Sequence, residues 1–541
     1  MNKKYFLFVP GRQAWISLTK ELAERYIATP TLSLSDNTHR CSLKSLFPQC
    51  EVIDFRDPLY GLNIPEAHTS RAALSDFRCD SLPLLKDRCL KMMDRIESGI
   101  HIRRVDREAL FYKGLFWSAA KLDQHQPDFL LFGEAPHAWP QYLFFELAKE
   151  TGVPTFIFSQ WGIAPALYLR SDLSGPALEL RHNEKYKTDS QIEKAINDYL
   201  NGVDPKTFET REPDYMADQK RRKKRKRGTL LRRVIEKSLT TSRYITTLKN
   251  YRHGKQAAQF IYENAYKNSD ERAADILGRL SGYSSITPKW AAIIKKEKLN
   301  RNLKDGLTAC VRKAPHKPYV YFPLHYEPER TTLPDGGKYH DQISALIELR
   351  ANLPSDIQIV VKEHPSQVNG ALNGEKGRSL LFYDSVTQIE NTVLIAEDAP
   401  VSQLFRDCEF VATISGSAAL EAALLKRKSL IFGHAWFEGC PNVFSYDNGA
   451  SISDILTGDV APRQDVEVWL KKRYKETSVP GFQNPSGARR FWKFEQLSCF
   501  KEDEVQGMAM LLAKALQEAD TKATSRLEHA QEDLHQRKFC K

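Results

Sequence analysis

The sequence has no apolar run approaching the roughly 18–20 residues that a membrane-spanning helix needs. Its start, MNKKYFLFVPG, reaches Pro10 before a secretory-signal core can develop, and is expected to form a first buried strand. Its 9 cysteines are scattered and include no CxxC pair, which argues against a disulfide framework or a zinc site. A cytoplasmic location is therefore expected. Also missing are a GxxxxGK[ST] phosphate loop, a GxGxxG after the first strand, HExxH, a GxSxG elbow and any Asp-x-Asp. These absences point away from P-loop enzymes, zincins, serine hydrolases and metal-dependent single-domain sugar transferases. No metal and no cofactor is expected.

What is present is globular. A hydrophobic content of 41% and an aromatic content of 10%, spread over 541 residues, support at least two domains with sizeable cores. The net charge of +11 is local, because Lys220–Arg227 (KRRKKRKR) supplies eight positive charges. Such a run is a solvated segment that binds anionic surfaces, of which acidic lipid headgroups suit it best. It carries no interleaved aromatics for base stacking, so no specific nucleic acid is expected.

Apolar periodicity divides the chain. In the first part YFLFVP, CEVIDF, DFLLFGE and VPTFIFS read as strands, and AWISLTKELAERY and WPQYLFFELAKETG as helices. From about Ser190 to Val311 strands disappear and charged helical stretches dominate. Strands return at YVYFPL, IQIVVKEH, TVLIAE, EFVATIS and SLIFG, alternating with amphipathic helices. The expected organisation is an α/β acceptor-side domain over 1–185, a helical basic insertion over 186–315, an α/β donor domain over 316–463 and C-terminal helices with a charged tail over 464–541.

Open α/β sheets bind ligands at the carboxyl ends of their strands. His364 and Pro365 follow one buried strand, in Lys-Glu-His-Pro. An imidazole there can donate to a phosphate oxygen, with Lys362 as a helper on the same face. Ser415, Gly416 and Ser417 follow another strand and run into a helix, a hydroxyl-rich anion site that equally fits ordinary N-capping. Glu421, one turn further on, suits ribose hydroxyls or a plain helix surface. His325, Glu327 and Arg330 lie in a Pro- and Gly-rich loop after a strand, and are substrate-contact candidates. In the first part Glu134 is the candidate base for an acceptor hydroxyl, with His137 beside it. Gly11, Arg12 and Gln160 are weaker acceptor-side candidates.

The segments GEAPH, YFPLHYEPE, KEHP and SGSAALEAALLKRKSLIFG together resemble the capsular polysaccharide biosynthesis family of bacterial glycosyltransferases, which includes Kdo transferases that use CMP-Kdo. The similarity is good from Tyr319 to Gly439 and loose in the first part. The resemblance implies a GT-B fold, with two doubly wound Rossmann-type domains facing a cleft and the donor in the C-terminal half. It implies that His364 and Ser415 or Ser417 hold the donor phosphate, and that the co-substrate is a CMP-linked nucleotide sugar. The family's paired-acid-then-Gly motif is absent from the first part, so the catalytic base stays open. The expected function is transfer of a Kdo-like sugar to a surface polysaccharide or glycolipid, at the inner face of the cytoplasmic membrane. The alternatives are a UDP-sugar epimerase-like or glycerol-phosphate transferase enzyme, or a non-catalytic protein that binds anionic polymers or nucleic acid.

Overall fold

Two parallel-rich sheets organise the chain, as shown by a computed structural model that describes residues 2–9, 11–35, 37–59, 81–95, 104–179, 190–210, 289–313, 318–368, 374–484 and 503–521. The basic run Lys220–Arg227 lies outside these residues. The strands of the first sheet are β1 (Lys3–Phe8), β2 (Ala28–Ser35), β3 (Glu51–Asp54), β4 (Phe129–Phe132), β5 (Thr155–Gln160) and β6 (Ala166–Arg170). The second sheet contains β7 (Tyr319–Pro323), β8 (Gln358–Lys362), β9 (Thr392–Ile395), β10 (Phe410–Thr413), β11 (Lys428–Ile431) and β12 (Val443–Ser445). A last strand, β13 (Ser478–Pro480), returns to the first sheet.

The orders are β13-β6-β5-β4-β1-β2-β3 and β12-β11-β10-β7-β8-β9. Every pairing in the second sheet is parallel, while β6 pairs antiparallel with both β5 and β13. In each sheet the chain builds outward in one direction and then in the other. The reversals fall between β1 and β4, and between β7 and β10. Those are the crevices where doubly wound sheets take ligands. The mixed α/β architecture with two Rossmann-like halves is thus observed.

The runs FLLF and FVAT are continuous apolar strands because both faces of a parallel sheet are covered. Phe6, Phe8 and Phe132 face helices Leu82–Met93, Arg104–His125 and Trp139–Glu150 on one side of the first sheet. Tyr5, Leu7 and Phe129 face the other side. There Met508, Leu511 and Leu512 from the chain's C-terminal part join helix Gln13–Glu24. Residues 464–541 read as helices and tail, yet 478–484 and 503–521 are built into the first sheet's side. Val479, Leu511 and Leu512 are fully buried there, so hydrophobic burial holds this return in place.

The segment 190–210, read as the start of an insertion, packs on the second sheet. Ile192, Ile196, Leu200 and Val203 share a core with Leu420 and Leu470. Arg463 donates to the carbonyls of Val203 and Leu200, at 2.6 Å each. No helix among the described residues is long and apolar enough to cross a membrane.

Candidate functional site

Three loops leave the carboxyl ends of the neighbouring strands β10, β7 and β8, and carry Ser415–Ser417, His325–Arg330 and His364–Pro365 respectively. The register Val411↔Tyr321↔Val360 aligns the strands, so the first and third loops are separated by about two strand spacings, on the order of 10 Å. His325 fills the space between them. Its Nε2 accepts the backbone N–H of Ser415 at 3.2 Å and lies 3.0 Å from Thr413 Oγ1, and its Nδ1 lies 3.3 Å from Thr331 Oγ1. Burial pushes its pKa down to about 4, keeping the ring neutral. His325, expected to contact substrate, is therefore a buried strut with both nitrogens engaged.

Gly416 is required by that strut. A Cβ there would lie 2.9 Å from Thr413 Oγ1 and 3.3 Å from the His325 ring. Ser415 Oγ donates to the Thr331 carbonyl at 2.7 Å, so its one hydroxyl proton is committed inside the protein. Ser417 Oγ donates to Glu421 Oε1 at 3.1 Å. Burial raises the Glu421 carboxyl above its usual value, although hydrogen bonds from Ser417 and Thr210 pull it the other way. The helix that follows, Ala418–Leu424, is only 7 residues long, so its dipole adds little. What the turn does offer is backbone: among the described residues the N–H groups of Gly416 and Ser417 find no acceptor.

His364 offers a third donor. Its Nδ1 accepts the Ser366 N–H at 3.1 Å, which places the ring proton on Nε2. That Nε2–H has no acceptor among the described residues. Burial, aided by His325, Lys362 and Arg378, holds the imidazole pKa down at about 3, so the ring is a neutral donor. Pro365 is half-buried beside it. Lys362 does not join it: its Nζ donates to the Glu397 carbonyl at 2.6 Å, beside β9. A strand-end lysine was expected to share the imidazole's face, but a buried ammonium takes the nearest carbonyl instead.

On the facing half, Glu134 and His137 follow β4, at the first sheet's reversal. Asn484 Nδ2 donates to Glu134 Oε2 at 3.1 Å, and Glu134 Oε1 lies 3.9 Å from His137 Nδ1. His137 Nδ1 donates to the Ala135 carbonyl at 2.9 Å. Arg330 reaches this side, with Nε 3.4 Å from Asp335 and Nη1 donating to Gln483 at 3.3 Å. Burial lowers its pKa, but Asp335 and Glu134 outweigh that and the net shift is upward. Arg95 ties the halves by donating to the carbonyls of His137 and Leu333, at 2.6 Å each. Trp161 lies against Trp436 with ring centroids 4.9 Å apart.

Two acceptor-side candidates are used structurally. Arg12, next to the partly exposed Gly11, forks onto Glu504 at 2.6 and 2.9 Å and also donates to the Phe482 carbonyl. Gln160 Oε1 accepts the Gln483 N–H at 3.2 Å. Glu327 is buried and paired with Arg378 and Lys91, not open to substrate. The sequence reading missed Glu363, Arg378, Gln367 and Asn484. Glu363 left a signal, since a carboxylate ending an apolar strand needs a buried cation, but nothing in the sequence identifies Arg378 as that cation.

Among the described residues no group of three or more His, Cys, Asp or Glu side chains is placed to hold a metal ion. Residues 243–451 match the family model described as capsule polysaccharide biosynthesis protein. No curated protein matches the chain in sequence. Among solved structures, the β-Kdo 2,7-transferase of Thermosulfurimonas dismutans KpsC aligns at 16% identity over 32% of this chain and 51% of that one, with a TM-score of 0.20. This chain thus spans about half of that structure's length. The β-Kdo 2,4-transferase of the same protein aligns at 11% identity over 63% and 78%, with a TM-score of 0.24. A Methanocaldococcus jannaschii UDP-GlcNAc 2-epimerase aligns at 11% identity over 87% and 99%, with a TM-score of 0.20.

Proposed function

We propose that this chain, whose residues 243–451 match the capsule polysaccharide biosynthesis family model, transfers a sugar from a nucleotide-activated donor to a surface-glycan or glycolipid acceptor. The observation that carries the reading is a rim of unspent donors: His364 Nε2–H and the N–H groups of Gly416 and Ser417, at the carboxyl ends of β8 and β10. A donor-only rim at a sheet's reversal is matched by a phosphate.

In the reaction the Glu134 carboxylate removes the proton of an acceptor hydroxyl, and the freed oxygen attacks the anomeric carbon. The bond from that carbon to the phosphate oxygen breaks, and the nucleotide phosphate departs with the electron pair. His364 and the turn amides stabilise the charge that develops on it. Asn484 holds the Glu134 carboxylate in place. Glu421 is our candidate for the ribose hydroxyls. The proposed donor is a CMP-linked, Kdo-like sugar, used without a metal, and Lys220–Arg227 would hold the enzyme to an acidic membrane surface.

Calorimetric titration with CMP, UDP and CDP tests this reading. Selective CMP binding, weakened about tenfold or more in His364→Ala at an unchanged melting temperature, is expected. Selective UDP binding favours the epimerase-like alternative, and no nucleotide binding overturns the transferase. Co-sedimentation with anionic vesicles, lost on deleting Lys220–Arg227, tests the membrane contact.

A further inference from the structure

Behind the donor rim one guanidinium joins the loops that leave β7 and β8. The side chain of Arg378 is fully screened from solvent. Its Nη1 pairs with Glu327 Oε2, its Nε lies 3.1 Å from Glu363 Oε2, and its Nη2 donates to the His325 carbonyl at 2.8 Å. Glu363 spends its other oxygen on the backbone N–H of His364, at 2.6 Å, and Tyr383 donates to Oε2 at 2.9 Å. The Gln367 amide closes the same junction from the other side. It accepts the Glu327 N–H at 2.8 Å and donates to the Glu327 carbonyl at 2.9 Å. Gly377 lies so close to Glu327 that a Cβ would come within 2.4 Å of its backbone.

Two buried carboxylates therefore face Arg378, and one guanidinium alone leaves a negative charge uncompensated at high cost. The second cation comes from the facing half. Lys91, on helix Leu82–Met93, lies 3.4 Å from Glu327 Oε1 and donates to the His340 carbonyl at 2.8 Å. Lys91 thus brings a second positive charge to the cluster from the facing half.

We propose that Arg378 is a positioning residue for the His364 imidazole: through Glu363 it fixes the His364 peptide and the direction of Nε2–H, and Lys91 of the facing half completes the arrangement. The inference rests on the donor-site reading above. A lysine cannot replace Arg378, because three diverging acceptors need a rigid fork. An error of about 1 Å in a positioned donor costs on the order of a hundredfold in rate.

The test combines ¹⁵N-histidine NMR of the full chain, with the His364 signals assigned through His364→Gln, and steady-state kinetics. In the wild type the His364 ring is expected as the Nε2–H tautomer. Arg378→Lys is expected to average the two tautomers and to lower kcat about a hundredfold, with KM within about threefold. Should Arg378→Lys not fold, Lys91→Met at a less buried site carries the test, with a fall of about tenfold in kcat that Lys91→Arg restores. A wild-type tautomer pattern and unchanged kcat in the folded variants overturn the inference. An averaged tautomer in Arg378→Lys, in a protein where His364→Ala leaves nucleotide binding intact, upholds the positioning role and instead sinks the donor-site reading.

Discussion

His325 Nε2 accepts the backbone N–H of Ser415 across 3.2 Å, so the loop that leaves β7 sets the shape of the turn that leaves β10. His325→Ala removes that acceptor and strands a buried N–H. A loss of about 1–3 kcal/mol is expected, read from urea or thermal unfolding, together with weaker nucleotide binding as the turn relaxes.

The same residue sets a pH dependence. Burial holds the folded-state pKa of His325 near 4 and that of His364 near 3, against 6.5 for an exposed imidazole. The unfolded chain therefore binds more protons between about 4 and 6.5, and stability rises with pH across that window. Lowering the pH below 6.5 is expected to cost up to about 1.4 kcal/mol per unit from His325. Urea titrations at pH 7 and pH 5 check this, and His325→Gln is expected to remove about half of the difference, because His364 still contributes.

Lys362→Met separates the imidazole from its neighbour in the Lys-Glu-His-Pro segment. The ammonium donates to the Glu397 carbonyl. Nucleotide affinity is expected to stay within about twofold in calorimetry, against a loss of tenfold or more for His364→Ala. An equal loss in both variants would bring Lys362 back into the site.

Glu134→Gln keeps the shape that Asn484 holds but removes the base. The expected result is a fall in kcat of about 10²–10⁴ with nucleotide affinity unchanged. A variant that keeps its turnover would assign proton removal to another group.

Arg12→Ala leaves the buried Glu504 carboxylate without its bidentate cation. The pair is largely but not fully buried, so a loss of about 1–3 kcal/mol is expected, between exposed and buried pairs. Faster proteolysis after residue 484 would show the returning segment detaching, and unchanged cleavage would show that apolar packing alone holds it.

Most strands of both sheets were legible because buried parallel strands carry continuous apolar stretches, as in FLLF, the IVV of QIVVK and the FVA of FVAT. β2 was not, because ATPTLSLS carries proline and hydroxyl residues that interrupt the apolar pattern. β13 was missed because three residues give no periodicity. The positions of His364, Ser415–Ser417 and Glu134 at strand ends were also legible, since a change from apolar to polar residues marks where a strand leaves the core.

The sequence by itself determined the alternation of strands and helices, and with it the carboxyl-end loops on which chemistry can sit, because burial imposes its period on local sequence. Only the tertiary structure decided which polar groups remain unspent. Lys362, Ser415 and Arg12 have the right chemistry for a ligand, yet each is satisfied by a group distant in sequence: Glu397, Thr331 and Glu504. A hydrogen bond is consumed by whichever partner folding brings within about 3 Å, and that depends on three-dimensional packing and not on neighbours along the chain.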